Sequence, residues 1–81
     1  MIIKVLGTGC KNCLLLEKNV REAVEKMKSS AEVIKISSID EIVDFGVMMV
    51  PALVINEEVV SVGKLLTIEK ITELIKEKEE R

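Results

Sequence analysis

Cys10 and Cys13 are the two cysteines of this 81-residue chain, and both lie in Gly7-Thr8-Gly9-Cys10-Lys11-Asn12-Cys13. Two thiols at this spacing suit three uses: dithiol redox exchange, capture of a soft metal ion, or packing as small apolar side chains. The first needs one sulfur that ionises readily and a second within reach of it. If a helix begins just after Cys10, unpaired backbone N–H groups and the helix dipole favour a negative charge there, and Lys11 adds a nearby cation. Such surroundings lower a cysteine pKa from about 8.5 to roughly 3.5–7.5. Cys13 then falls nearly one helical turn further on, close enough to attack a sulfur bonded to Cys10. Cys10 is thus the candidate nucleophile and Cys13 the candidate resolving thiol, and turnover leaves a Cys10–Cys13 disulfide. Gly7 and Gly9 allow a tight loop that leaves Cys10 accessible.

The flanking sequence predicts elements able to hold such a loop. Ile2 to Leu6 is an apolar, β-branched run stopped by glycines, the pattern of a strand buried in a parallel sheet. From Lys11 to about Met27, Leu16, Val20, Ala23, Val24 and Met27 recur at helical spacing. Leu14-Leu15-Leu16 is expected mostly in the core, with Leu14 bordering the cysteines. Glu32 to Ile36 reads as a second strand, parallel to the first through a βαβ crossover. Ser38-Ile39-Asp40-Glu41 reads as a capping box opening a two-turn helix, with Ile39, Ile42 and Val43 inward and Gly46 ending it. Pro51 to Ile55 and Val59 to Val62 predict an antiparallel hairpin joined through Asn56-Glu57-Glu58, with Pro51 at the strand's start. Thr67 caps a last helix whose buried stripe is Ile68, Ile71, Leu74 and Ile75. The order βαβαββα predicts an α/β fold with a four-stranded mixed sheet between helices, as one domain over residues 1–81.

Composition narrows the function classes. There is no Trp, Tyr or His, and Phe45 is the sole aromatic, so base stacking is unavailable. Interleaved charges summing to −2 offer no basic face for phosphates, which argues against nucleic acid. The amino terminus lacks a charged segment followed by a long apolar one. The longest apolar stretch, Phe45 to Ile55, is broken by Gly46 and Pro51 and is too short for a bilayer. A cytoplasmic protein is expected, and in a reducing cytosol a close cysteine pair is more often catalytic or metal-binding than a structural staple.

Together, a strand leading into Gly7-Thr8-Gly9-Cys10-Lys11-Asn12-Cys13, Val50-Pro51 heading a hairpin, and Gly63 before a final helix resemble the thioredoxin-fold family. The resemblance covers nearly the whole chain and is nearest to the small archaeal and bacterial thioredoxin-like, or glutaredoxin-like, redox-disulfide proteins. It implies a three-layer thioredoxin-like fold, a thiol–disulfide oxidoreductase acting on disulfide-containing proteins, and catalytic Cys10 and Cys13. It also implies a cis Pro51 beside the cysteines and a substrate groove formed by Val50 and Pro51, with Gly9 and Lys11 flanking Cys10. No cofactor or metal is expected beyond the redox disulfide, and the expected state is a monomer served by a reductase or other dithiol donor. Where thioredoxins usually carry Trp before the first cysteine and Gly-Pro between the two, this chain has Gly9 and Lys11-Asn12. Lys4 falls about where thioredoxins bury an acid, so Cys13 needs another base or water to accept its proton. The loop also resembles that of copper chaperones of the heavy-metal-associated family, which makes a soft-metal module the alternative function. That family, however, has Met ahead of its first cysteine and ends in a strand. Zinc would require more ligands than two cysteines and no histidine provide, and Met48 and Met49 are read as filling or groove lining rather than metal ligands.

Overall fold

A computed structural model describes residues 1–80. The elements follow in the order β1 (Ile2–Leu6), α1 (Lys11–Lys26), β2 (Glu32–Ile36), α2 (Ile39–Asp44), β3 (Ala52–Ile55), β4 (Glu58–Val62) and α3 (Ile68–Glu79). In the sheet they are arranged β2-β1-β3-β4. β1 is central, parallel to β2 and antiparallel to β3, and β3 is antiparallel to β4. The sheet is therefore mixed on either side of β1. Both faces of that strand are nonetheless covered, which is why its sequence lacks strict polar alternation.

Each face has its own core. Ile3 and Val5 of β1 and Leu53 and Ile55 of β3 pack against Leu16, Val20 and Ala23 of α1 and Ile71 and Ile75 of α3. On the opposite face Leu6, Ala52 and Val54 meet Ile42 of α2 and Val47 after it, with Phe45 and Val50 partly buried alongside. The three layers are thus α1 with α3, the sheet, and α2.

Local chemistry sets the element ends. α1 closes with Lys28 in the left-handed region at φ 53°, where its N–H reaches Glu25 O and that of Ser29 reaches Val24 O. These bonds satisfy carbonyls that the helix end would leave unpaired. Thr67 caps α3 by accepting from Lys70 N at 3.1 Å, and Gly46, at φ +78°, donates to Val43 O beyond α2.

Three sequence expectations are corrected. Leu14 and Leu15 are exposed, and only Leu16 of that run is in the core. Consecutive helical residues point about 100° apart, so α1 can turn only one of the three toward the sheet. Ile39 and Val43 are likewise exposed, because the six-residue α2 uses Ile42 alone to contact the sheet. The hairpin loop is shorter than its sequence suggested. Asn56 and Glu57 both have positive φ, 51° and 68°, as a two-residue type I′ turn requires, and Glu58 already pairs with Ile55.

Candidate active site

The strand register assembles the site at one end of the sheet. Leu6 pairs with both Ile36 and Ala52, and Ala52 pairs with Val62. The segments just beyond these residues, Gly7 to Cys13, Val50-Pro51 and Gly63, are consequently neighbours although far apart in sequence. Gly63 N–H donates to Pro51 O at 2.8 Å, and Gly7 N–H donates to Ile36 O at 2.9 Å. The Val50–Pro51 peptide bond is cis.

Cys10 is the N-cap of α1 and Cys13 lies in its first turn. The two are joined as a disulfide with Cα atoms 4.9 Å apart. The sulfurs are not equivalent: Cys10 is exposed, whereas Cys13 is 3% exposed. Cys10 Sγ also accepts a hydrogen bond from Cys13 N–H at 3.1 Å, and the first turn contains no acidic residue. A backbone donor, the positive helix end and solvent access thus converge on Cys10, conditions that favour a thiolate once the bond is reduced.

Gly7 explains how the loop and helix approach so closely. A Cβ built there would lie 2.6 Å from Cys13 Sγ and 2.7 Å from Cys13 Cβ. Gly9 serves differently: its φ is +96° and the space around it is open, so conformation rather than room requires glycine. Lys11, the first residue of α1, is exposed; Val50 is half-buried and Pro51 buried. Gly63, at φ +70°, faces Met49, whose Cε would be 3.3 Å from an added Cβ.

Lys4 is directed away from the cysteines. Its ammonium pairs with Glu57 at 2.5 Å, in the hairpin loop at the opposite end of the sheet, and lies 5.2 Å from the Phe45 ring centroid. Among the described residues, no group of three or more His, Cys, Asp or Glu is placed to hold a metal ion. Any metal at this end would depend on the two cysteines, as thiolates.

Beside the cysteines lies an open groove of about 280 Å³. Thr8, Ile39, Val43, Met48 and Val50 form its walls, and the buried Ile42 and Val47 close its base. Thr8 and Val50 belong to the two loops of the redox site, so groove and site are continuous. Ile39 and Val43 were not foreseen as groove residues. Their sequence signal is an excess of apolar side chains over what a two-turn helix can bury.

Residues 1–76 match the thioredoxin domain family. The chain is 39% identical over 75 residues to a thioredoxin of Methanothermobacter thermautotrophicus, covering 93% of this chain and 97% of that protein. It is 33% identical over 76 residues to a thioredoxin of Methanocaldococcus jannaschii, covering 94% of this chain and 87% of that protein. With a βαβαββα order, a four-stranded mixed sheet and a Cys10–Cys13 disulfide at the first helix, the chain belongs to the thioredoxin family.

Proposed function

We propose that Cys10 is the attacking thiolate and Cys13 the resolving thiol of this thiol–disulfide oxidoreductase, and that Val50, Pro51, Gly9 and Lys11 border the bound substrate. The observation that carries the assignment is the asymmetry of the pair: Cys10 is exposed at the helix N-cap with its sulfur on Cys13 N–H, and Cys13 is buried behind it. The Cys10 thiolate attacks one sulfur of a substrate protein's disulfide, forming a mixed disulfide and releasing the other sulfur as a thiolate. Cys13 gives up its proton, which passes through water to the released thiolate, and attacks Cys10 Sγ. The second substrate sulfur leaves as a thiolate and takes a proton from water. Two electrons have then moved from the protein dithiol to the substrate, and the Cys10–Cys13 disulfide remains.

No cofactor enters this cycle. A dithiol donor or reductase restores the thiols, and residues 1–81 act as a single monomeric domain. Among the described residues no helix is long and apolar enough to cross a membrane. That fact and the mixed surface charge support a cytoplasmic reductase of proteins, with neither nucleic acid nor membrane as partner.

The test is a trapping experiment. Cys13→Ser should accumulate a mixed disulfide through Cys10 with protein substrates, identified by mass spectrometry, while Cys10→Ser should form none and lose disulfide reduction. Trapping through Cys13 in the Cys10→Ser protein at the wild-type rate would reverse the assignment.

A further inference from the structure

Glu17 lies one helical turn beyond Cys13 in α1, and residues at that spacing share a face with Cβ atoms about 5–6 Å apart. Helical side chains lean toward the N-terminus, which directs the Glu17 carboxylate over the turn that holds Cys13. The Glu17 side chain is 21% exposed, against 66%, 72% and 56% for Glu57, Glu73 and Glu58 of the other ion pairs. Arg21 Nε and Nη2 both reach Glu17 Oε2 at 3.1 Å. Oε1 therefore has no protein partner among the described residues.

The resolving step needs an acceptor for the proton of Cys13. Cys13 is 3% exposed, and apolar burial opposes ionisation of a thiol. The elements packed against α1 are β1, β2 and α3. Lys4 of β1 pairs with Glu57 at the far end of the sheet; on β2, Glu32 stands opposite Ile2 at that same end, and Lys35 is exposed. α3 begins beside Asn19, whose Nδ2 donates to Leu66 O, so its first turn, with Glu69 and Lys70, stands further along α1 than Glu17. Asp40, Glu41 and Asp44 are exposed on α2, across the sheet from α1. Lys11 and Lys18 of α1 are exposed cations, which offer no acceptor.

We propose that Glu17 accepts the proton of Cys13 in the resolving step, through one water at Oε1. The proposal rests on the oxidoreductase reading above and names the first stop on the proton's route through water. In the mixed disulfide the Cys13 S–H bond breaks and the proton passes to the carboxylate. Cys13 Sγ bonds to Cys10 Sγ as the bond from Cys10 to the substrate sulfur breaks, and that sulfur leaves as a thiolate. The Glu17 carboxyl group then gives the proton, through water, to the thiolate released in the first step, and is a carboxylate again.

The test mixes pre-reduced protein with an equimolar amount of dithiobis(nitrobenzoic acid) and follows absorbance by stopped flow. Attack by Cys10 releases one nitrothiobenzoate at a rate that scales with concentration; attack by Cys13 releases the second at a rate that does not. Near neutral pH, Glu17→Gln should slow the second phase by about 10- to 100-fold and leave the first as it was. The deficit should vanish at strongly alkaline pH, where hydroxide ionises Cys13 in both proteins. Arg21→Gln, which loses the same ion pair but keeps the carboxylate, should resolve near neutral pH at close to the unaltered rate.

A second phase that Glu17→Gln does not slow would overturn this inference alone and leave water as the acceptor. Equal slowing in the two variants, or a deficit that persists at every pH, would assign Glu17 to structure and overturn it as well. Release of a single nitrothiobenzoate by the unaltered protein, with no Cys10–Cys13 disulfide formed, would overturn the oxidoreductase reading itself.

Discussion

Gly7 and Cys13 are six positions apart in sequence, yet the fold leaves no room for a methyl group between them. An alanine methyl at Gly7 would lie 2.6 Å from Cys13 Sγ, well inside contact distance. Cys13 has little freedom to retreat, because it is buried within the first turn of α1 and bonded to Cys10. Gly7→Ala should therefore destabilise the oxidised protein by about 1–3 kcal/mol, the usual cost of overpacking, measurable by equilibrium urea denaturation. A midpoint and slope equal to those of the unaltered protein would show that the loop relaxes without penalty and would refute this account. Gly9 has no such neighbour, and what requires glycine there is the positive φ from which the chain enters Cys10.

Cys10 has two separable tasks, one chemical and one belonging to α1. As N-cap it supplies the side-chain acceptor for Cys13 N–H, a donor that would otherwise lack an intrahelical partner. A serine hydroxyl can fill that acceptor position, whereas alanine cannot. With the disulfide absent from both variants, Cys10→Ser should be about 1 kcal/mol more stable than Cys10→Ala, although neither reduces disulfides. Equal denaturation midpoints would mean that the cap contributes nothing. The serine variant is thus the cleaner control for loss of the sulfur, because it leaves the helix start intact. α2 is held more lightly: Ser38 Oγ accepts from Glu41 N at 3.4 Å, and the element buries one side chain.

The two faces of the sheet differ in how firmly they are covered. α1 and α3 press two long amphipathic helices onto one face, and Asn19 Nδ2 ties α1 to Leu66 O ahead of α3 at 2.9 Å. Lys78 of α3 also forms an ion pair with Glu58 at the start of β4. The other face is covered by a six-residue helix and the segment after it, the part that walls the groove. Local opening follows the amount of buried apolar contact. Native-state hydrogen exchange should therefore give α2 amides a lower opening free energy than those of α1 and β1. Opening free energies for α2 equal to those of β1 would contradict the unequal coverage.

Much of this protein was legible from short-range patterns. The helical spacing of Leu16, Val20 and Ala23, the capping Thr67, and the apolar runs on either side of Asn56 each reflect a local preference that the surrounding fold reinforces. The cysteine spacing belongs to the same class, since residues three apart in a first turn meet in almost any context. What sequence alone left open depends on distance through the sheet. Only strand register brings Gly63 to Pro51, and only packing against Cys13 makes Gly7 a steric requirement. The inward face expected for Ile39 and Val43 failed because periodicity identifies an apolar stripe but not how much of it the neighbouring layer has room to cover. α2 has more apolar surface than the sheet can accept beside Ile42, and tertiary structure alone turned the surplus into the wall of a groove at the reactive sulfur.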